Sequence, residues 1–95
     1  MVFVWDENKN RANRQKHGVA FDTAARVFDD PFAVSYVDRA IGEEVRWHTV
    51  GLVGGVAMLL VVHLINDEDN GDEEIRIISA RKANRRERAL YEGAH

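Results

Sequence analysis

Thirteen lysines and arginines and four histidines carry most of the chemistry open to this chain. Ten of those cations fall in two windows: Lys9, Arg11, Arg14 and Lys16, then Arg76, Arg81, Lys82, Arg85, Arg86 and Arg88. Three of the four residues from Arg85 to Arg88 are arginine, and the planar guanidinium fork suits phosphate better than a point charge does. His17 can carry a proton near neutral pH, although a histidine there also suits the end of a helix. Such a set suffices for cleavage of RNA by its own 2′-hydroxyl. A base takes the 2′-OH proton, cations stabilise the growing charge on the phosphorane, and an acid protonates the departing 5′-oxygen.

Other chemistries find less support in the residue types. The chain has no cysteine, so thiolate metal sites and disulfides are excluded. No helical His-x-x-x-His pair is present among His17, His48, His63 and His95, and no phosphate-binding glycine loop or Gly-x-Ser-x-Gly pattern occurs. The acid-rich stretch Asp67–Glu74 does not follow EF-hand ligand spacing and reads as a solvated hairpin loop. His63, in an apolar run, reads as a core histidine, and His48 as an outward strand residue. His95 is terminal. Trp5 and Trp47 could stack on bases but suit core packing better.

Net charge is −3, which taken alone argues against a nucleic-acid binder. Its distribution says otherwise, because six acids sit together in 67–74 and the cations lie elsewhere. A bipolar surface holds a polyanion at one side and stays soluble through the other. Ninety-five residues make one domain with one core, and 45% hydrophobic with 31% charged content fits an ordinary globular chain. The opening Met-Val-Phe-Val-Trp-Asp is not a signal peptide, and the apolar run Val56–Val62 is too short to span a bilayer. A cytoplasmic protein without membrane contact is expected.

These residues need elements to hold them. Val2–Trp5 reads as a short strand, then a helix from an Asp6 N-cap to His17, stopped by Gly18 in the left-handed conformation. Ala12 is that helix's only aliphatic residue, so core packing alone does not hold it. Phe21 and Asp22 open a second helix, with Phe21, Ala24, Ala25 and Phe28 on one face, ended by Asp29-Asp30-Pro31. Strands follow at Phe32–Val37 and Glu43–Leu52, joined by a turn at Arg39–Gly42, with Glu44, Arg46 and His48 sharing one face of the second. Gly54-Gly55 makes a hairpin into a central strand, Val56–Ile65, apolar on both faces. After the loop Asn66–Asp72 comes the strand Glu74–Ser79. A basic helix follows, capped by Asn84 and Glu87, whose apolar residues are only Ala89, Leu90 and Tyr91. The order β-α-α-β-β-β-β-α predicts an α+β domain, a four- to five-stranded antiparallel sheet packed by two N-terminal helices and a short C-terminal one.

Several of these stretches together resemble the BrnT family of bacterial type II toxins. They are Trp5-Asp6-Glu7-Asn8-Lys9, Asn13, Lys16-His17-Gly18-Val19-Ala20-Phe21, Ala24, Val27-Phe28-Asp29-Asp30-Pro31, and Ile75–Ala83 with Glu87 and Tyr91. The resemblance implies a RelE-like fold and a ribonuclease activity that arrests translation. It also implies neutralisation by a BrnA-like ribbon-helix-helix antitoxin, in a heterotetramer that binds DNA through the antitoxin. The matching positions put Lys9, Lys16, His17, Arg46, Arg76 and Arg81 in catalysis and Lys82 and Tyr91 against RNA, where the arginine cluster adds Arg85 and Arg86. No cofactor and no metal are expected. A non-catalytic module that binds antitoxin or nucleic acid in operon autorepression is the alternative.

Overall fold

A strand that is apolar on both faces has to be covered on both sides, and β4 (Ala57–Asp67) is the middle strand of five. In this computed structural model, which describes residues 1–68 and 70–95, the sheet order is β1-β5-β4-β3-β2. Strands β2 (Val34–Ile41), β3 (Glu44–Val53), β4 and β5 (Glu73–Lys82) pair antiparallel with one another in that order. The short β1 (Val2–Val4) adds to β5 in parallel, making the sheet mixed at that edge. Helices α1 (Glu7–His17) and α2 (Phe21–Ala25) follow β1, and α3 (Arg85–Gly93) follows β5. The α+β architecture and element order match the expectation.

Two cores form, one on each face of the sheet. Phe21, Ala24 and Val27 pack on Leu59, Val61, Ile75 and Ile77 on one side. Tyr91 packs on Val50, Met58 and Leu60 on the other. Each such large side chain removed from water contributes about 1.5–3 kcal/mol. The polar helix α1 is fastened differently. Asp6 caps it, Gly18 at φ 73° stops it, and buried Asn13 bonds β5 beyond the reach of β1. Its amide donates to the Ala80 and Val19 carbonyls at 2.8 Å, and its oxygen accepts from Ala80 N–H at 3.1 Å. A side-chain amide thus does what a strand neighbour would do.

Several boundaries depart from the sequence reading, among them β4, which runs two residues past Ile65 into the expected acidic loop. β2 starts at Val34 and continues to Ile41, because Gly42 at φ 59° lets the chain reverse in two residues and Asp38 is bulged out of register. The second helix gives way at Arg26 to a single 3-10 turn, Arg26–Asp29. β5 runs on to Lys82, since the long β4 offers partners as far as Leu59. Asp69, within the expected acidic loop, lies outside the described residues. Close approach explains Gly51, where an added Cβ would stand 2.9 Å from Val27. That proximity brings Asp30 over β3, where its carboxylate accepts from Leu52 N–H.

The two ends of the strands carry opposite charge. Glu43, Glu44, Asp67, Glu68, Asp72 and Glu73 cluster at the β2–β3 and β4–β5 turns, while Arg81, Lys82 and the start of α3 lie at the other end. Among the described residues no helix is long and apolar enough to cross a membrane.

Candidate active site

Side chains paired in register share a face, and two rows cross the sheet beneath and beside α3. Val34, Val50, Leu60 and Arg81 make the first row, and Tyr36, His48, Val62 and Ser79 the second. Arg46, two residues before His48, and Arg76, opposite Leu64, lie on the same face. The first row is largely covered by α3. The second opens into a cavity of about 200 Å³ lined by Tyr36, Asp38, His48, Asn84, Arg86, Glu87 and Leu90.

The groups in this cleft are bonded to one another. Arg81 meets Glu87 through two parallel hydrogen bonds, Nη1 to Oε1 at 2.8 Å and Nη2 to Oε2 at 2.9 Å. Glu87 also accepts from Asn84 N–H, and the Asn84 side chain accepts from Glu87 N–H, so the capping box and the arginine clamp share one carboxylate. Burial works against the Glu87 charge, but Arg81 and the Asn84 N–H outweigh it and hold its carboxyl below the usual range. The Glu87 carboxylate raises the Arg81 pKa in turn. His48 Nδ1 lies 3.2 Å from the Tyr36 hydroxyl and its Nε2 3.5 Å from an Asp38 oxygen. Burial, then the negative charges of Glu87 and Asp38, raise the Tyr36 pKa, so the phenol keeps its proton at neutral pH. A phenol that donates to Nδ1 leaves the Nε2 proton facing Asp38, which fixes one tautomer of the ring.

The description "Ribonuclease toxin, BrnT, of type II toxin-antitoxin system" belongs to a family model that matches residues 5–87. The chain belongs to the BrnT family. Ribonuclease activity and an antitoxin partner come with membership. A crystal structure of the Brucella abortus ribonuclease toxin BrnT superposes with a TM-score of 0.67, at 24% identity, over 90% of this chain and 100% of that one. That likeness is one of fold. No curated protein sequence matches the chain.

Of the residues expected in a BrnT site, Arg46, Arg76 and Arg81 share the α3 face, with Arg81 beside the cleft and Arg46 and Arg76 further along the strands. Arg46 bonds Glu44 at 3.1 Å, and Arg76 lies 4.0 Å from Glu74. Lys9, Lys16 and His17 ride on α1, which is fastened to the edge of β5 rather than laid over that face. Among the described residues none of those three side chains makes a hydrogen bond or ion pair. Lys82 lines a separate groove with Arg88, and Arg85 is exposed at the first turn of α3.

Tyr91 corrects the expectation of an RNA contact. It is buried, and its hydroxyl donates to Asp30 at 2.8 Å, so it anchors α3 instead of offering a stacking surface. His63 is a satisfied core histidine, 2.7 Å from the Thr49 hydroxyl. Sequence reading placed His48 outward and passed over Tyr36 and Asp38. The period-two pattern already put His48 on the face of Arg46, but pairing with Tyr36 depends on the turn and the bulge at Asp38, which carry no strong sequence signal.

Proposed function

We propose that the chain cleaves RNA without a metal, by attack of the 2′-hydroxyl on the adjacent phosphate, in the cleft between α3 and strands β2 and β3. The observation that carries this reading is the opening of His48, bonded to Tyr36, into the same cavity as Arg86 and the Glu87 that clamps Arg81. The 2′-O–P bond forms as the P–O5′ bond breaks, with no change of oxidation state. His48 moves the proton, Tyr36 sets its ring, and Arg81 and Arg86 stabilise the phosphorane. Arg46 and Arg76 bind phosphates on the same face. Lys82 and Arg85, together with Lys9 and Lys16 on α1, extend the cationic path for the strand. His17, at the end of α1, adds to that path, and His48 both takes the 2′-OH proton and delivers one to the departing 5′-oxygen.

The reading extends to translation arrest and to a ribbon-helix-helix antitoxin, joined in a heterotetramer that binds DNA through the antitoxin. One observation favours the alternative of a non-catalytic binding module: the two hydrogen bonds from Arg81 to Glu87 compensate that charge before any phosphate arrives. Single-turnover cleavage of RNA in excess EDTA separates the two. The wild type cuts and His48→Ala is slowed on the order of 10²-fold or more, as for loss of a general acid–base group. No cleavage by folded wild type, with RNA binding retained, establishes the module.

A further inference from the structure

On the face opposite the cleft, Val37, Trp47, His63 and Ile77 form one row across four strands. Phe28 covers His63, with ring centroids 5.0 Å apart, and the helical layer ends there. Burial falls off towards the β2 edge: His63 is 0% exposed, Trp47 half-buried and Val37 49% exposed. Val45, two residues before Trp47, is 39% exposed. A cavity of about 380 Å³ continues from Val45 round the end of the sheet past Leu64 and Ile65. Outside a helical layer, a Trp among valines is the kind of anchor that carries binding energy in protein interfaces. The Trp47 indole N–H has no hydrogen-bond partner among the described residues.

Acids outnumber cations around this corner, and Arg46, on the other face, is already taken up by Glu44 of the cavity wall. Glu43 lines the cavity, and neither it nor Asp67 nor Glu68 is ion-paired among the described residues. The neighbouring Glu74 carboxylate crowds Glu68 and pushes its carboxyl up. RNA is repelled from such a rim. A twofold contact between two copies would set one acidic rim against another, also unfavourably. A cationic, apolar polypeptide suits both features.

We propose that this corner docks a segment of the antitoxin that carries apolar side chains flanked by lysine or arginine. The proposal rests on the toxin–antitoxin reading for its partner. It adds a contact surface on the side of the sheet away from the RNA cleft, so the antitoxin gains affinity there independently of how it treats the cleft.

The test uses the full chain with Trp5→Phe, leaving Trp47 as the sole indole, titrated with purified cognate antitoxin. Trp47 emission should shift to the blue on binding. Val45→Asp should weaken affinity at least tenfold, and Glu43→Lys with Glu68→Lys should weaken it and flatten its salt dependence, all with RNA cleavage unchanged. Should Trp5→Phe fail to fold, iodide quenching of wild-type fluorescence reports the same burial. Unaltered Trp47 emission at saturation, or unchanged affinity in the variants, overturns the proposal. So does concentration-dependent self-association that Val45→Asp abolishes, or an antitoxin that does not bind at all. Failure of the wild type to cut RNA counts against the ribonuclease mechanism instead, and leaves these binding results readable.

Discussion

Arg81 and Glu87 lie six residues apart and meet through two parallel hydrogen bonds, across the corner where β5 gives way to α3. Glu87 therefore aims the guanidinium and caps the helix with one carboxylate. Arg81→Ala should slow RNA cleavage on the order of 10²–10³-fold, as for loss of a transition-state donor. Glu87→Ala should slow it at least tenfold through misdirection of Arg81, and should cost about 0.5–2 kcal/mol from loss of the cap. Cleavage rates and urea midpoints on the same preparations check both. An Arg81→Ala protein that folds and cuts at the wild-type rate would reduce the pair to a helix anchor.

His48 and His17 make separable claims. His48 has Tyr36 on one ring nitrogen and Asp38 near the other, whereas His17 ends α1 with no polar side-chain partner among the described residues. His48→Ala should abolish most single-turnover cleavage. His17→Ala should lower the rate by less than tenfold. Reversal of that order would move the proton transfer to the α1 side and make His48 a structural residue.

Tyr91 and Asp30 are 61 positions apart, and their 2.8 Å bond holds the far end of α3 to the turn after α2. Asp30 also accepts from Leu52 and Phe32 N–H, and these bonds hold its carboxyl down although burial opposes them. Tyr91→Phe should cost roughly 0.5–1.5 kcal/mol, the net worth of one hydrogen bond. Only Tyr91 and Glu87 of α3 are buried, so amide exchange in 85–92 should be faster than in β4, and faster again in the variant. Equal protection of α3 and β4 would contradict this.

His63 makes stability depend on pH. Burial lowers its pKa from 6.5 to about 4. As pH falls through 6.5 the unfolded chain takes up a proton that the folded chain refuses, so the stability present above that pH declines until about pH 4. The total is on the order of 3 kcal/mol. Asp30 and Glu87, with lowered values, add their own loss only below the ordinary carboxylate range. Urea unfolding at intervals from pH 7.5 to 4 measures the slope. A flat profile between 6.5 and 5 would mean that the imidazole is protonated in the fold.

Much of this fold was legible in local chemistry. Asp6, Gly18 and the Asn84–Glu87 box declare helix ends through backbone donors and left-handed conformation, and the apolar stretch Val56–Ile65 declares a strand covered twice, of which all but Val56 lies in β4. The attachment of α1 was not legible, because Asn13 acts through a long-range bond to Ala80 and a polar helix shows no apolar stripe. The site was half legible. Residue type pointed to Arg46, Arg76 and Arg81, and alternation put Arg46 beside His48. The joining of His48 to Tyr36 turned on the bulge at Asp38, and the burial of Tyr91 on tertiary contact with Asp30.

The most direct test of the central claim is the end group left on the RNA. Cleavage in excess EDTA, read by mass spectrometry of the products, should yield a 2′,3′-cyclic phosphate and a free 5′-hydroxyl, and a 2′-O-methyl group at the cut position should block it. Products with a 5′-phosphate, or activity lost in EDTA and restored by magnesium, would contradict a mechanism driven by the 2′-hydroxyl and by His48, Arg81 and Arg86.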